Sequence, residues 1–371
     1  MSVRGPIASR QRILIRCPNW LGDVVMATPG LRAFRQANPA AWIVTQLPAA
    51  LAPLLTGNGV CDEVWSIVPR SAGVRALKEE ASRVSQGNFE LGIVIPESIS
   101  SALRMRWGRV RRIVGFARDP IRRAMLHEVV PAPASWGRRR LVSRERFVAT
   151  LTGALGAPTK DLTLHLQVTK EEEEGLEAVL LTQGWTREQI TGEGPVVFAP
   201  GASFGESKCW PPQYYAELAD RFARRGAQVV LLGAPGEGPL LDAVKRAMKS
   251  TPILLDGTVD LGGLKALIRS ARLLVANDAG TRHVAAAFGV PSVIFLGPTS
   301  LEKTAENLDR VEIVEREFAC RPCYRRQCPI DHRCLRSISV DDADAAAARS
   351  MERAVERHDG PTPGPPVGAM S

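Results

Sequence analysis

Residues 273–289, LLVANDAGTRHVAAAFG, decide the fold. The apolar run Leu273, Leu274 and Val275 stops at Asn277 and Asp278 and resumes after Gly280 with helical spacing, so the stretch reads as strand, tight turn and helix. In an open α/β sheet a ligand lies just outside the carboxyl ends of the strands, where the first amides of the following helix point. Chemistry is therefore expected at the turn. The amides of Ala279, Gly280 and Thr281 suit phosphate, and His283 in the same first turn suits a ligand contact. Asp278 has two readings. It is either the helix N-cap or an acceptor for sugar hydroxyls, because a carboxylate set against a diphosphate is repelled.

Working outward, the same pattern recurs on both sides. Strands are predicted at 196–199, 228–232, 253–255 and 292–296, with helices at 212–225, 238–249 and 261–271 between them. Earlier in the chain RILIRC (12–17) reads as a strand, and PNWLGD follows it before a helix over 24–36, which puts Asp23 at a helix entrance. Further strands are predicted at 41–46, 63–68, 91–96 and 112–116, and helices at 144–155 and 170–183. This alternation predicts an α/β protein of two parallel, doubly wound halves with a cleft between them. The 371 residues suit two domains. The division expected is 1–165, then 166–357 with a cysteine-rich loop at 320–334 and a closing helix, then a disordered Pro/Gly-rich tail at 358–371.

Lys and Arg number 48 against 39 Asp and Glu, a net charge of +9 that seeks a polyanion: nucleic acid, a membrane surface or a phosphorylated substrate. There is no run of ~18 apolar residues to span a membrane, and the first residues lack the apolar core of a signal peptide. A cytoplasmic location is expected, with the seven cysteines as thiols or metal ligands. Between 104 and 123 the chain is strongly basic. Arg104, Arg106, Arg109, Arg111, Arg112, Arg118, Arg122 and Arg123 are opposed there only by Asp119, and a second cluster at 138–140 follows Trp136. Such a strip is either a solvated face or a cationic apron for an anionic acceptor or lipid headgroups.

Four further motifs carry candidate chemistry. In APGASFGESKCWP (199–211), Gly201, Ala202 and Ser203 leave amides open to an anion, and Lys208 adds a point charge, an arrangement suited to a diphosphate; the plain alternative is a glycine turn with a surface lysine. GAPGE (233–237) lacks G-x-G-x-x-G, which argues against a nicotinamide site; Glu237 either accepts from a ribose or is a helix-start acid. Asp23 is a first-turn acid or a general base. Cys320, Cys323, Cys328 and Cys334, spaced C-x2-C-x4-C-x5-C with His332 between the last two, could hold a tetrahedral structural zinc or could be reduced cysteines packed in a loop. Cys17, Cys61 and Cys209 read as packing residues.

Taken together, RILIRCPNWLGDVVMATPGLRAF, PGASFGESKCWP, VANDAGTRHVAAAFGVPSVIFLGPTS and CRPCYRRQCPIDHRCL resemble the lipopolysaccharide heptosyltransferase family (glycosyltransferase family 9), especially its heptosyltransferase II branch. The resemblance covers most of the chain. It implies a GT-B fold, two Rossmann-like domains facing a cleft, with ADP-heptose on the C-terminal half and the lipid-linked acceptor on the N-terminal half. It also implies an inverting transferase that needs no metal for catalysis. Asp23 would be the base and Lys208 the phosphate-neutralising lysine, while Asp278, Ala279, Gly280 and His283 would form the donor-binding turn; Ala279 stands where a hydroxyl residue is common. The expected reaction moves heptose from ADP-L-glycero-β-D-manno-heptose to a heptosyl-Kdo2-lipid A acceptor, at peripheral contact with the inner membrane. Gly201, Ser203 and Glu237 would complete the donor site, and Arg104, Arg106, Arg109 and Arg122 the acceptor side. Two other readings stand beside it: a GT-B transferase or epimerase with another sugar nucleotide, and a zinc-bearing nucleic-acid-binding protein built on the net charge and the cysteine cluster. The latter lacks a helix-turn-helix, OB or RRM signature, and no nucleic acid is expected as partner.

Overall fold

A computed structural model of the chain describes residues 11–133 and 142–358. The first half carries β1 (Arg12–Arg16), α1 (Leu21–Ala37), β2 (Trp42–Leu47), β3 (Glu63–Ser66), α2 (Gly73–Gln86), β4 (Leu91–Val94), α3 (Ile99–Trp107), β5 (Arg112–Gly115), α4 (Pro120–Met125), β6 (Glu128–Val129) and α5 (Arg144–Gly153). The second carries α6 (Lys170–Thr182), α7 (Arg187–Thr191), β7 (Val196–Ala199), α8 (Pro212–Arg224), β8 (Val229–Gly233), α9 (Gly238–Ala247), β9 (Ile253–Asp256) and α10 (Leu261–Ser270). It continues with β10 (Leu273–Asn277), α11 (Gly280–Phe288), β11 (Ser292–Leu296), β12 (Val311–Glu315), α12 (Arg333–Arg336) and α13 (Val340–His358). The predicted tail beyond 358 and the basic cluster at 138–140 lie outside the described residues.

The strands form two six-stranded sheets in the orders β3-β2-β1-β4-β5-β6 and β12-β11-β10-β7-β8-β9. All pairings are parallel; β1 lies between β2 and β4, and β10 between β11 and β7. Both sheets have the doubly wound order, whose direction reverses between β1 and β4 in one and between β7 and β10 in the other. Crevices open at these reversals. The fold is GT-B, two Rossmann-like sheets facing a cleft. Strand edges fall within a few residues of expectation, but the short edge strands β6 and β12 had not been anticipated from the sequence.

Apolar faces place the cores. One cluster runs from Ile13, Val24 and Phe34 in the first half to Val197, Leu274 and Ile294 in the second, so the halves share buried surface. Separate clusters cover the outer face of each sheet, around Trp210 and Phe295 in one and Phe89 and Met105 in the other.

Local chemistry fixes the joints between halves. Pro29, inside α1, has no N–H to donate to the preceding turn. The carbonyl of Val25 accepts from Thr28 Oγ1 at 2.7 Å instead, and Thr28 Oγ1 in turn accepts from the amide of His165 at 3.0 Å, tying the inter-sheet segment to α1. Lys265 on α10 is fully buried, donating to the carbonyls of Pro53 at 2.6 Å and Gln167 at 2.8 Å and pairing with Glu172 at 2.8 Å. A buried ammonium is tolerable only when its donors are filled in this way. The proposed division at 165/166 falls in this segment.

Candidate active site

A cavity of about 340 Å³ lies between the start of α1 and the start of α11 and collects residues from both halves. Asp23, Met26 and Arg144 line it from the first half, and Ser203, Lys208, Ala279, Gly280 and His283 from the second. The two helix mouths approach backbone to backbone. A Cβ on Gly280 would fall 2.8 Å from Leu21 Cδ2 and 3.2 Å from the amide nitrogen of Gly22, and one on Gly22 would fall 2.8 Å from His283 Cδ2. A side chain at either glycine would force its neighbours to shift. Each helix start directs unsatisfied amides and the positive end of its dipole toward the gap.

Asp23 sits in the first turn of α1, partly exposed, with Arg144 Nε 3.5 Å from Oδ1. Burial raises its pKa above the ordinary aspartate value, against the pull of Arg144 and Lys303. Lys303, itself partly buried, is held below the usual lysine range by that burial and by the neighbouring Arg144 and Arg118 cations. Arg144 and Lys303 were not singled out in the sequence; nothing in their spacing relates them to Asp23.

Lys208 and Asp278 form a buried pair. Lys208 Nζ lies 2.7 Å from Asp278 Oδ2 and 2.7 Å from the Asp278 carbonyl oxygen. Asp278 Oδ2 also accepts from Thr299 Oγ1 at 2.8 Å, and Oδ1 pairs with Arg282 at 2.8 Å. Burial alone would raise the Asp278 pKa, but the Lys208 and Arg282 cations and the hydrogen bonds from Lys208 and Thr299 outweigh it and hold the carboxyl far below the aspartate range. Both oxygens are engaged, and the N-cap position of α11 belongs to Ala279, with no side-chain capping bond. The helix-cap reading of Asp278 is thus not realised. Its carboxylate holds Lys208. Arg282 is buried and also donates to the carbonyl of Thr304 at 2.7 Å, linking the turn to the next loop. Its i,i+4 spacing from Asp278 was the signal that could have revealed it.

His283 is buried, and desolvation with the Arg282 cation lowers its pKa to about 3. It is a neutral imidazole at any working pH. Asn277, fully buried, carries the loop after β7: Oδ1 accepts from the Trp210 amide at 2.9 Å and from Tyr215 Oη at 3.0 Å, while Nδ2 donates to the Pro200 carbonyl at 2.6 Å. Gly201 and Glu237 lie just beyond the cavity lining. A Cβ on Gly201 would fall 2.1 Å from Glu237 Oε1, so the glycine makes room for the carboxylate, which also accepts from the Ala234 amide at 2.9 Å.

The cysteine-rich loop buttresses the Lys208 turn. The Ser207 amide donates to the Arg326 carbonyl at 3.1 Å, Ser207 Oγ donates to the Arg325 carbonyl, and His332 Nε2 lies 2.7 Å from the Ser207 carbonyl. Gly205, at φ 145°, passes so close that a Cβ would fall 2.5 Å from the Arg326 carbonyl oxygen. Cys320, Cys323, Cys328 and Cys334 line one cavity of about 250 Å³. Yet no group of three or more His, Cys, Asp or Glu among the described residues is placed to hold a metal ion. Cys334 is buried against the core beneath β11 and β12, whereas Cys320 and Cys323 lie at the surface.

The basic strip is divided. Arg122 is fully buried, its guanidinium donating to the carbonyls of Phe116 and Ser98, so the acceptor contact expected of it is not available. Arg104 pairs with Glu80 and donates to the Val68 carbonyl at 2.8 Å, and Arg112 pairs with Glu128 at 2.6 Å. Arg106 and Arg109 remain exposed, Arg106 near His127 at 2.8 Å and Arg109 in the left-handed region just after α3.

Residues 78–333 match glycosyltransferase family 9 (heptosyltransferase). The chain belongs to glycosyltransferase family 9. This family member is 30% identical over 312 residues to lipopolysaccharide heptosyltransferase 2 of Escherichia coli K12, covering 79% of this chain and 84% of that one. It is 26% identical over 312 residues to lipooligosaccharide heptosyltransferase 2 of Haemophilus influenzae, covering 81% and 88%. Among solved structures, the fold is shared with a glycosyl transferase family 9 protein from Veillonella parvula at TM-score 0.78 and 21% identity, covering 93% and 98%. It is shared also with E. coli ADP-heptose lps heptosyltransferase II at TM-score 0.77 and 23% identity, covering 93% and 100%. The family 9 chain is a glycosyltransferase of the heptosyltransferase type.

Proposed function

We propose that the enzyme transfers heptose, with inversion, from ADP-L-glycero-β-D-manno-heptose to heptosyl-Kdo2-lipid A in the assembly of the lipopolysaccharide inner core. The observation that carries this reading is the single cavity with Asp23 on one wall and Lys208 with the mouth of α11 on the other. Asp23 takes the proton of the acceptor hydroxyl as that oxygen bonds to the anomeric carbon. The bond from that carbon to the diphosphate breaks on the opposite face, and ADP leaves with the electron pair. Charge develops on the leaving oxygen, where Lys208 and the amide of Gly280 are assigned as donors, and such preorganised donors lower the barrier most. The neutral His283 ring offers a hydrogen bond to the donor without adding charge, Ser203 faces the same space, and Glu237 beside Gly201 is assigned to the ribose. No step is routed through a metal.

The acceptor side is assigned to the first half. Arg104, Arg106 and Arg109 serve the acidic acceptor, and α3 and α4 pack together carrying exposed Trp107 and Ile121, which suits peripheral contact with the cytoplasmic face of a membrane. Among the described residues, no helix is long and apolar enough to cross a membrane. The test is a transfer assay with ADP-heptose and heptose-free or one-heptose core acceptors, beside Asp23→Asn. Turnover with the one-heptose acceptor and a loss of about 10²–10⁴ in kcat for the variant are expected. Product from UDP-sugars but not ADP-heptose would overturn the donor assignment, and near-normal turnover of the variant would remove Asp23 as base.

A further inference from the structure

Three neighbouring strands of the second sheet feed the catalytic cavity. In the order β11-β10-β7, the mouth of α11 follows the middle strand, Lys208 lies in the loop after β7, and Lys303 lies in the loop after β11. These strands run parallel, so all three loops leave the same edge of the sheet. Lys208 and Lys303 thus reach the cavity from loops on either side of the helix mouth, and both line it. The transfer assigned above uses Lys208 and gives Lys303 no part.

The Lys303 loop is fastened to the donor turn at both ends. Thr299 Oγ1 donates to Asp278 Oδ2 at 2.8 Å, and the Thr304 carbonyl accepts from Arg282 Nη2 at 2.7 Å. Between them Leu301–Thr304 form one 3₁₀ turn, whose entry is capped by the Ser300 hydroxyl as it accepts from the Glu302 amide at 3.3 Å. Lys303 projects half-buried from this turn, and the Tyr324 ring centroid lies 5.3 Å from its Nζ. Among the described residues its ammonium makes no ion pair and no hydrogen bond. The carboxylates nearest to it are occupied: Asp23 has Arg144 Nε at 3.5 Å, and Glu97 pairs with Arg118 at 2.7 Å. Burial, with Arg144 and Arg118 close by, holds the lysine below its usual range, so an arriving anion stabilises the charged form.

The charges on the cavity walls point the same way. Arg144, Lys208 and Lys303 stand there as cations against the carboxylates of Asp23 and Asp278, and Arg282 lies directly behind Asp278. Lys208 and Arg282 share Asp278, while Arg144 and Lys303 face Asp23. Each group therefore keeps one positive charge in excess. A nucleotide-sugar diphosphate carries one negative charge on each phosphate and gains another when its bond to the sugar breaks.

We propose that Lys303 is a second catalytic cation of the transfer, its ammonium meeting the phosphate next to the sugar so that the two lysines hold the diphosphate across the mouth of α11. The inference deepens the reading of this cavity as the nucleotide-sugar site and rests on it. The bond that breaks joins the anomeric carbon to a phosphate oxygen. Its electron pair stays with ADP, and Lys303 meets the added charge without giving up a proton.

Calorimetric titration of the full chain with ADP needs neither acceptor nor turnover. Lys303→Met keeps the apolar stem and leaves no carboxylate unpaired. It should weaken ADP binding by about tenfold to a hundredfold, the worth of a charge-assisted contact, at an unchanged melting temperature. Lys303→Arg should recover most of that loss. The same loss should appear when Lys303→Met is combined with Asp23→Asn, where no charged base remains for the lysine to act through. In steady state, Lys303→Met should lower kcat by about tenfold or more with the acceptor KM unmoved. Wild-type ADP binding by Lys303→Met overturns the proposal. So does a loss that disappears in the Asp23→Asn background, which would make Lys303 a partner of the base alone. If ADP binding depends on Lys303 yet no heptose leaves ADP-heptose for any core acceptor, the phosphate contact stands and the assigned reaction falls. If transfer proceeds and Lys303→Met matches wild type in both assays, the reaction stands and the role of Lys303 falls.

Discussion

Lys208 and Asp278, seventy positions apart in the chain, form a contact in which the ammonium lies 2.7 Å from both a carboxylate oxygen and the backbone carbonyl of the same residue. The aspartate therefore sets where the lysine can point. With Arg282 and Thr299 holding the carboxylate from the other side, the ammonium reaches the cavity from a fixed base.

Removing the lysine should expose that dependence. Lys208→Met is expected to lower kcat by about 10²–10³, the usual loss for one preorganised donor at a developing oxyanion. Asp278→Asn should lower kcat similarly and also cost about 3–5 kcal/mol of stability, because two buried cations lose their counter-charge. Denaturant titration beside kinetics checks this. An Asp278→Asn variant of normal stability with weakened sugar binding alone would restore the hydroxyl-acceptor role.

The acid limb of the pH profile should belong to Asp23. A base must be deprotonated, so activity rises with pH, and burial moves that limb above the ordinary aspartate position. Arg144 favours the charged form, so Arg144→Met should move the limb further upward. A kcat profile from pH 4 to 9 for both proteins decides it; an unmoved or lowered limb would contradict the assignment.

Glu145 offers a stability test away from catalysis. It is fully buried on α5, Oε2 has no partner, and Oε1 receives Asn307 Nδ2 across the inter-sheet boundary at 3.5 Å. Burial, reinforced by Glu306, raises its pKa from 4.5 to about 7, against the backbone bond, Arg282 and Asn307. A raised carboxyl contributes its stability below the unfolded-state pKa and loses it as pH rises through the folded value. Glu145→Gln should thus melt higher than wild type at pH 8, by the equivalent of about 2–3 kcal/mol, with the gap closing below pH 4.5. A gap that widens toward acid would invert the sign and reject the argument.

Gly280→Ala should wedge the helix mouths apart. The new Cβ would meet Leu21 Cβ at 2.9 Å and the Gly22 amide nitrogen at 3.2 Å, and a backbone atom cannot step aside as a side-chain tip can. Overpacking of this kind costs about 1–3 kcal/mol. Calorimetric melting and ADP affinity should both fall, whereas unaltered ADP binding would show that the contact is slack.

Much of this was legible in the chain. Parallel strands buried on both faces are apolar runs, and VVFA, LLVAN and SVIFL announced themselves. The edge strand VEIVE alternates and ends in acid, so its pattern is that of a half-exposed segment. Asp23, Lys208 and the 278–283 turn were readable because each follows a strand. The partners of Asp278 were not, since Thr299 and Lys208 converge on it only after β7, β10 and β11 are aligned. The arginine strip misled for a related reason: counted locally, only Asp119 opposed it, yet Glu80, Glu97 and Glu128 arrive from other elements.

The close meeting of Gly22 and Gly280 bears on how the enzyme responds to its surroundings. Where side chains line a cleft, its field titrates. Here the peptide N–H groups of two helix starts, which carry no proton to gain or lose in water, stand beside Lys208, whose charge also persists through the acid range. The pull on ADP should therefore be nearly constant over the range in which Asp23 changes state, so that acidification silences the chemistry while leaving the donor seated.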